Sequence, residues 1–328
     1  MPTSPTKLIL DTDPGGDDAV ALLWLLSLVK QGIAELVAVT TAQGNVAAQQ
    51  TFINSSRLLA LAGFSHIPVG RGALPPGLGD DAAHIHGGDG MGNLSPSLPA
   101  ATHDYAIAPP SEDLLIEQLA AAPGEITLVA IGPLTNLAAA EAKQPGILRA
   151  AKEIVVMGGA FGPGNVTPMA EFNIWFNPPA AQTVFDCCDN VVLLPLDVTR
   201  QLQFTEAIGQ RLLQRSPDNA LAQFVQKLCQ FMTTTALQYR EVAGTPGFLV
   251  HDAITIAYLF YPNTLTLQRA CLQVETQGQW TAGQTVMDRR QGSQPGANTW
   301  VAVQADTANI LASLVEDLTV LMEAGPSS

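Results

Sequence analysis

The sequence predicts an α/β protein, an open and mostly parallel sheet flanked by helices in a single domain, and three observations lead there. Five short apolar runs, "KLIL", "AELVAVTT", "EITLVAIG", "KEIVVMGG" and "NVVLLPLDV", alternate with segments of helical length. Each run is continuously apolar, which is how a strand reads when helices cover both faces of a parallel sheet. Hydrophobic residues make up 47% of the 328 positions, enough for one large core, and no repeat, low-complexity tract or Pro/Gly/Ser linker divides the chain.

The elements follow in order. The first run ends in Asp11 and Asp13, and Asp17 or Asp18 is placed to cap the helix "AVALLWLLSLVKQG". After the second run, Asn45 opens "VAAQQTFINSSRLLALAG"; Ser111, with Glu112 and Asp113 in the first turn, opens "LLIEQLAAAPG". Between Gly70 and Pro110 the Gly, Pro, Asp and His residues lack periodicity, and a structureless loop of that length in a compact domain is usually functional. After about residue 262 the pattern shortens to "LTLQRACLQVETQ" and "TWVAVQAD", closed by "TANILASLVEDLTVLMEAG". Residues 1–328 are therefore read as one domain, with about 262–328 an added C-terminal hairpin and helix.

Charge and cysteine content bound the partners. With 29 acidic against 15 basic residues the net charge is −14, so nucleic acid and anionic membranes are repelled and a cationic or neutral small molecule fits. Charged residues are only 13%, thin for a monomer, which points to a homo-oligomer with part of the surface in an interface. Cys187, Cys188, Cys229 and Cys271 show no CxxC spacing and read as reduced thiols in a cytoplasmic protein. "AVALLWLLSLV" is too short to span a bilayer, and no stretch of signal-peptide character precedes it.

In such sheets ligands collect beyond the carboxyl ends of the strands, near a topological switch point. The informative polar residues sit at those ends: Asp11 and Asp13, "QGN" (43–45), "GPLTN" (132–136), "MGGAFGPGNVTPMAEFN" (157–173) and "DVT" (197–199). In "LILDTDPGGDDAVALL" four aspartates, Asp11, Asp13, Asp17 and Asp18, fall within eight residues. Carboxylates crowded at a buried strand end must protonate, reach water or share a cation, and a hard divalent ion such as Ca²⁺ or Mg²⁺ suits oxygen ligands. The plainer alternative is a Pro-Gly-Gly turn followed by a capping aspartate, with Asp11 facing solvent, although capping uses one carboxylate only. "GGAFGPG" lacks a strict GxGxxG and carries Pro163 where a helix should begin, so a dinucleotide loop is rejected. His84 and His86 have no Cys or further His nearby to make a zinc site.

"DTDPGGDDAVALL" resembles the N-terminal signature of the inosine-uridine nucleoside hydrolase family, and "AVTTAQGN", "HIHGGDGMGN", "LVAIGPLTN", "VVMGGAFGPGNVTPMAEFNIWFNPPAA" and "VHDAITIAY" match in order, from about residue 8 to 260. The resemblance implies a Rossmann-like fold and a Ca²⁺-dependent hydrolysis of ribonucleosides to ribose and free base, by a metal-bound water activated by Asp13. By motif position, Asp13, Asp18, Asp252 and the main-chain carbonyl of Ile131 resemble the calcium ligands; the family often has threonine in place of Ile131. Asp17, Asn165, Glu171 and Asn173 resemble the residues that grip the ribose, with Asp252 and Phe172 in the same substrate set. Asn45 resembles the residue beside the water and sugar, and Met157 stands at a strand end where it would line the sugar pocket. His86 resembles a residue on the base side, and His251 one that protonates a purine leaving group. Taken singly, Asn165 and Asn173 also suit turns, Glu171 a first helical turn and His251 a satisfied core position. The base pocket is expected from the loop Gly77 to Asn93 and the helix around Tyr239, with Gln238, Tyr239 and Arg240 as candidates, and the family is typically a dimer or tetramer.

Two other readings compete. A haloacid-dehalogenase-like phosphatase would use "DTDP" as nucleophile and Mg²⁺ site, but it needs a lysine poised for phosphate, and the pocket segments hold almost no lysine or arginine. A non-catalytic nucleoside- or ribose-binding protein would be favoured by a missing metal carboxylate, and all are present.

Overall fold

The structure, a computed structural model, describes residues 4–74, 81–242, 244–288, 290 and 296–323. Six parallel strands carry the first two thirds of the chain: β1 (Thr6–Thr12), β2 (Ala34–Thr41), β3 (Val69–Gly70), β4 (Ile126–Ala130), β5 (Glu153–Met157) and β6 (Val191–Leu194). A small antiparallel pair, β7 (Gln203–Thr205) and β8 (Gly247–Leu249), stands apart. They are followed by β9 (Leu265–Ala270), the hairpin of β10 (Leu272–Val274) with β11 (Thr285–Met287), and β12 (Thr299–Ala305). The main sheet has the order β3-β2-β1-β4-β5-β6-β12-β9, with β12 parallel to β6 and only β9 antiparallel. The segment expected as an added hairpin thus also supplies the last two strands of the central sheet.

The helices are α1 (Gly16–Lys30), α2 (Ala48–Ala62), α3 (Ala83–His86), α4 (Ser111–Ala121), α5 (Thr135–Lys143), α6 (Phe172–Phe176), α7 (Pro178–Cys187), α8 (Leu196–Thr199), α9 (Glu206–Arg215), α10 (Ala220–Gln238), α11 (Ala253–Phe260) and α12 (Thr307–Met322). They build one hydrophobic cluster on each face of the sheet. Leu8 and Leu10 of β1 enter the cluster with α1, α10, α11 and α12, whereas Ile9 enters the one with α4, α5 and α7. The same division recurs in β5, where Val155 and Met157 face one side, Ile154 and Val156 the other. Period-two alternation with both faces buried is why these runs read as continuously apolar. Helix α1 is buried from Gly16 to Leu28, apolar all round because neighbouring helices close over it. Among the described residues no helix is long and apolar enough to cross a membrane.

Two expected helix starts are displaced, at α1 and α2, and the third, at Ser111 with Glu112 and Asp113 in the first turn, stands as expected. Asp17 and Asp18 lie inside the first turn of α1, not at its cap; the Asp18 carboxylate reaches back to accept the Gly15 N–H at 3.0 Å. Asn45 precedes α2 by three positions, because its side chain is drawn to the β1 end instead, where it donates to the Asp13 carbonyl and to Asp18 Oδ2. Ser111 is the first residue of α4, and its hydroxyl bonds the Thr41 backbone, tying the helix start to β2. The stretch from Gly70 to Pro110 is not structureless where it is described: it contains α3 and a 3-10 turn at Ser95–Ser97.

The chain winds outward from β1 through β2 to β3, then returns to β4 on the other side of β1 and winds the opposite way through β5 and β6. The loops after β1 and β4 therefore part from each other, opening a crevice at the carboxyl edge.

Candidate active site

The acidic cluster is built at that crevice. Asp13 follows the last residue of β1 and is fully buried. Its Oδ2 accepts the Asn45 N–H at 2.7 Å, while Oδ1 is buried with no hydrogen-bond partner. Two glycines allow this placement: a methyl on Gly44 would strike Oδ2, and one on Gly132 would lie 2.5 Å from Oδ1. Asp18 is the most fully satisfied of the four, accepting from Thr12 Oγ1 (2.7 Å), the backbone N–H groups of Asp13 and Gly15, and Asn45 Nδ2. Asp11 does not face solvent. It is fully buried, and its Oδ2 accepts from Thr40 Oγ1 at 2.6 Å and Asn136 Nδ2 at 2.8 Å.

Asp252, immediately before α11, comes in from the far end of the chain. Oxygens of Asp17, Asp18 and Asp252 lie within 4.8 Å of one another, all three buried. Of the expected metal ligands Asp13, Asp18, Ile131 and Asp252, two stand in this trio, and Asp17, expected at the ribose, is its third member. Asp13 adjoins the trio, its charge interacting with Asp18 and Asp252, and the Asn45 N–H and two flanking glycines hold its carboxylate. The carbonyl of Ile131 accepts from Asn173 Nδ2 at 3.0 Å.

Burial raises the pKa of Asp13 and Asp252 well above the usual carboxylate range, and the neighbouring carboxylates add to it. Asp17 is pushed up to about 8 by burial and then by Asp18. Several buried anions in contact are unstable without a counter-charge. An orphaned oxygen beside a trio of converging carboxylates is the donor set a hard cation requires, so the residues fit a metal ion.

The opposite wall comes from the loop after β5. Glu171 caps α6: its carboxylate accepts the N–H groups of Gly159, Asn173 and Ile174 at 2.9 to 3.2 Å, and the residue lines the cavity. Asn173 donates to the carbonyls of Ile131 and Met157, bridging the ends of β4 and β5. Asn165 Oδ1 accepts the Phe172 N–H at 3.0 Å, and Met157 and Phe172 add apolar surface. Between the walls lies a cavity of about 720 Å³, room for a molecule of drug size.

Two histidines close its other end. His86 Nδ1 accepts the Gly16 N–H at 2.9 Å, which places the ring proton on Nε2, and burial lowers its pKa to about 4. His251 Nδ1 meets Thr199 Oγ1 at 2.7 Å; burial, then Arg200 and His86, lower its pKa to about 3. Both rings are neutral at neutral pH. At the mouth, His84 packs edge-on against Tyr239, with ring centroids 5.3 Å apart. Arg240 follows at φ 59°.

The family model for inosine-uridine preferring nucleoside hydrolase matches residues 8–312. This chain belongs to that family. It is 38% identical to a pyrimidine-specific ribonucleoside hydrolase RihA of Shewanella woodyi, over 95% of this chain and 97% of the relative. It is 36% identical to the inosine-uridine preferring nucleoside hydrolase of Leishmania major, over 92% and 94%. In fold it is similar to the purine-preferring ribonucleoside hydrolase from Gardnerella vaginalis, with TM-score 0.87 and 28% identity over 96% and 99% of the two chains. The protein is thus a hydrolase acting on ribonucleosides, and the phosphatase and non-catalytic readings fall.

In this nucleoside hydrolase the cavity gathers Asp17, Asp18, Asn45, His86, Ile131 and Met157 from the first half of the chain. From the second half it gathers Asn165, Glu171, Phe172, Asn173, His251 and Asp252; Asp13 is buried next to Asp18 and Asp252 and is not itself among the lining residues. Of the loop expected around the base, residues 77–80 lie outside the described residues; Asp81, Ala82, His84, Ile85 and His86 line the cavity together with Tyr239 and Arg240, and Gln238 does not. Sequence reading missed Arg200, Trp175 and Met232, which also line it; Arg200 adds one arginine to the expected Arg240, and no lysine among the described residues lines the cavity. Arg200 directly follows "DVT", so its place at a strand end was the available signal. Met232 lies mid-helix in α10, and nothing local marks it as facing Gly16.

Proposed function

We propose that the hydrolase cleaves the N-glycosidic bond of ribonucleosides with Ca²⁺ as cofactor and Asp13 as general base. Asp18 and Asp252 would hold the ion, with Asp13 Oδ1 and the Ile131 carbonyl completing the oxygen set, while Asp17, also in the trio, turns to the sugar hydroxyls. A set of carboxylates plus a main-chain carbonyl suits the irregular coordination of calcium better than the strict octahedron of magnesium. When bound, the ion supplies positive charge that lowers the pKa of an adjacent water.

The chain's own groups do the rest. Ribosyl transfer to water proceeds through an oxocarbenium-like sugar, so one face must deliver a deprotonating water and the other must release the base. Asp13 Oδ1 takes the water proton, and Asn45 steers the Asp13 carboxylate through its N–H. Asp17, Asn165, Glu171 and Asn173 bind the ribose, and Met157 and Phe172 exclude water from it. His86 and His251 face the base. His251 is neutral and keeps its one ring proton, so it assists by donating an N–H hydrogen bond to the departing base, which steadies the negative charge that develops there until water protonates the freed base.

Asp13 Oδ1 carries this reading: a buried carboxylate oxygen without a partner among the described residues, clasped by two glycines at the switch point. The test is elemental analysis of protein never exposed to chelator, paired with release of reducing sugar from inosine, uridine and other ribonucleosides. Calcium in the wild type, reduced in Asp13→Asn but retained in Asp17→Asn, supports the ligand assignment; zinc, or no metal, overturns it. The same substrate panel reads the base preference. A homo-oligomer in the cytoplasm, built from one 328-residue domain, remains part of the proposal, and sedimentation velocity tests the assembly.

A further inference from the structure

The "DVT" strand end was noted in the sequence but has no part in the chemistry above. In the structure it becomes α8, four residues followed by Arg200. Two of its side chains, one of its N–H groups and the Arg200 side chain that follows reach out to two different walls of the cavity. Leu196 donates its N–H to the Gly159 carbonyl, and Asp197 Oδ2 accepts the Phe161 N–H at 2.8 Å. Thr199 Oγ1 meets His251 Nδ1 at 2.7 Å. Arg200 donates through Nη1 to the Pro163 carbonyl at 2.7 Å and through Nη2 to the Gly164 carbonyl at 2.6 Å.

The loop these bonds hold, residues 158–171 between β5 and α6, is unusual for a segment that carries binding groups. Residues 161–169 are half-buried or exposed throughout, so hydrophobic burial anchors little of it. It is wound tightly on itself instead. Gly164 N–H bonds the Pro168 carbonyl at 3.0 Å, Asn165 N–H the Ala170 carbonyl at 3.1 Å, and Ala170 N–H the Thr167 hydroxyl at 2.9 Å. A side chain on Gly164 would strike the carbonyls of Thr167 and Ala170. Such a knot moves as a unit, and its position depends on what ties it to the body.

We infer that Arg200 is the positioning residue of this loop: its paired bonds to the Pro163 and Gly164 carbonyls set Asn165 at the sugar end of the cavity, beside Glu171, which the Gly159, Asn173 and Ile174 N–H groups hold. The guanidinium suits the task because its donors are planar and forked, so one side chain fixes two successive carbonyls; lysine offers a point charge without that geometry. Because α8 also holds His251 through Thr199, one short segment aligns the sugar wall with the base wall. The inference rests on the ribose-binding reading of Asn165 and Glu171.

Without Arg200 the loop is placed correctly only part of the time. A site competent for a fraction of the time binds more weakly by that fraction, yet reacts normally once the substrate has ordered it. Arg200→Met, which keeps an apolar stem, is therefore expected to raise KM for inosine and uridine by about tenfold or more while kcat stays within about threefold. Arg200→Lys should fall between. Amide hydrogen exchange on the free enzyme supplies a readout independent of turnover: protection should drop in 161–171 and hold in β1, β4 and α1. Unchanged KM with unchanged exchange overturns the inference. So does a loss shared by kcat and KM with exchange accelerated across the whole chain, the signature of general destabilisation. If the wild type cleaves no ribonucleoside, the proposed function fails, while exchange in 161–171 still decides whether Arg200 holds the loop.

Discussion

Gly132→Ala is the sharpest perturbation of the Asp13 geometry, since it adds one methyl and removes no functional group. The new carbon would lie 2.5 Å from Asp13 Oδ1 and 3.1 Å from its Cγ, where ordinary contact begins at 3.4 Å. The carboxylate must therefore shift by about 1 Å, a misplacement that typically costs about 10²-fold in rate, or about 2.7 kcal/mol. Retreat is blocked on the other side, where Asn45 N–H holds Oδ2 at 2.7 Å and Gly44 packs against it. Breaking that bond costs about 1.5–3 kcal/mol, as is usual when the acceptor is charged, so the carboxylate has no free direction in which to yield. Neither Asp13 nor any other candidate residue is replaced, and Gly132 has no positive φ to be strained. The assay is kcat/KM on inosine and uridine by reducing-sugar release, with thermal unfolding alongside. Activity within about threefold of wild type, in a protein with unchanged Tm, would refute the claim that a glycine clasp positions the base.

Other outcomes follow from the same geometry. Chelation should abolish activity and lower Tm, and added Ca²⁺ should restore both, since a ligand at about 100 times its Kd stabilises by about 2.7 kcal/mol; a Tm indifferent to chelator and calcium contradicts the fit of the acidic trio. Uridine should exceed deoxyuridine in kcat/KM by about 10²-fold or more, because loss of a hydroxyl strands buried polar partners; comparable values would remove the sugar assignment of Asp17, Asn165 and Asn173. His251→Ala should lose about 10²-fold on inosine yet keep most activity on p-nitrophenyl riboside, whose leaving group needs no proton; equal losses would reassign His251 to supporting Asp252. Away from the site, Asp317 accepts from Trp24 Nε1 at 2.7 Å, Tyr261 Oη at 2.5 Å and Gln31 Nε2 at 3.0 Å, joining α12 to α1. Asp317→Ala should destabilise by about 3 kcal/mol with kcat unchanged, as buried donors lose their acceptor; a Tm within a degree of wild type would contradict that.

The sequence by itself determined the parallel sheet, because strands buried on both faces must be apolar at every position, and it placed the polar residues at strand ends, where they later met in one crevice. It determined the ordered motifs from Asp11 to Asp252 that carry the family. By resemblance it gave Asp13 and Asp17 different roles, but residue type alone does not tell one aspartate of this short segment from the other; the fold clasps Asp13 between Gly44 and Gly132 and sets Asp17 beside Asp18 and Asp252. The helix caps were misplaced for a related reason: Asn45 and Asp18 have the residue types of caps, yet a stronger set of partners at the end of β1 claims their side chains. Arg200, Trp175 and Met232 were invisible locally, since a residue becomes part of a cavity through what packs opposite it. Periodicity and residue type act along the chain; which carboxylate is orphaned, and which arginine holds which carbonyl, depends on contacts between residues tens or hundreds of positions apart, which only the folded chain creates.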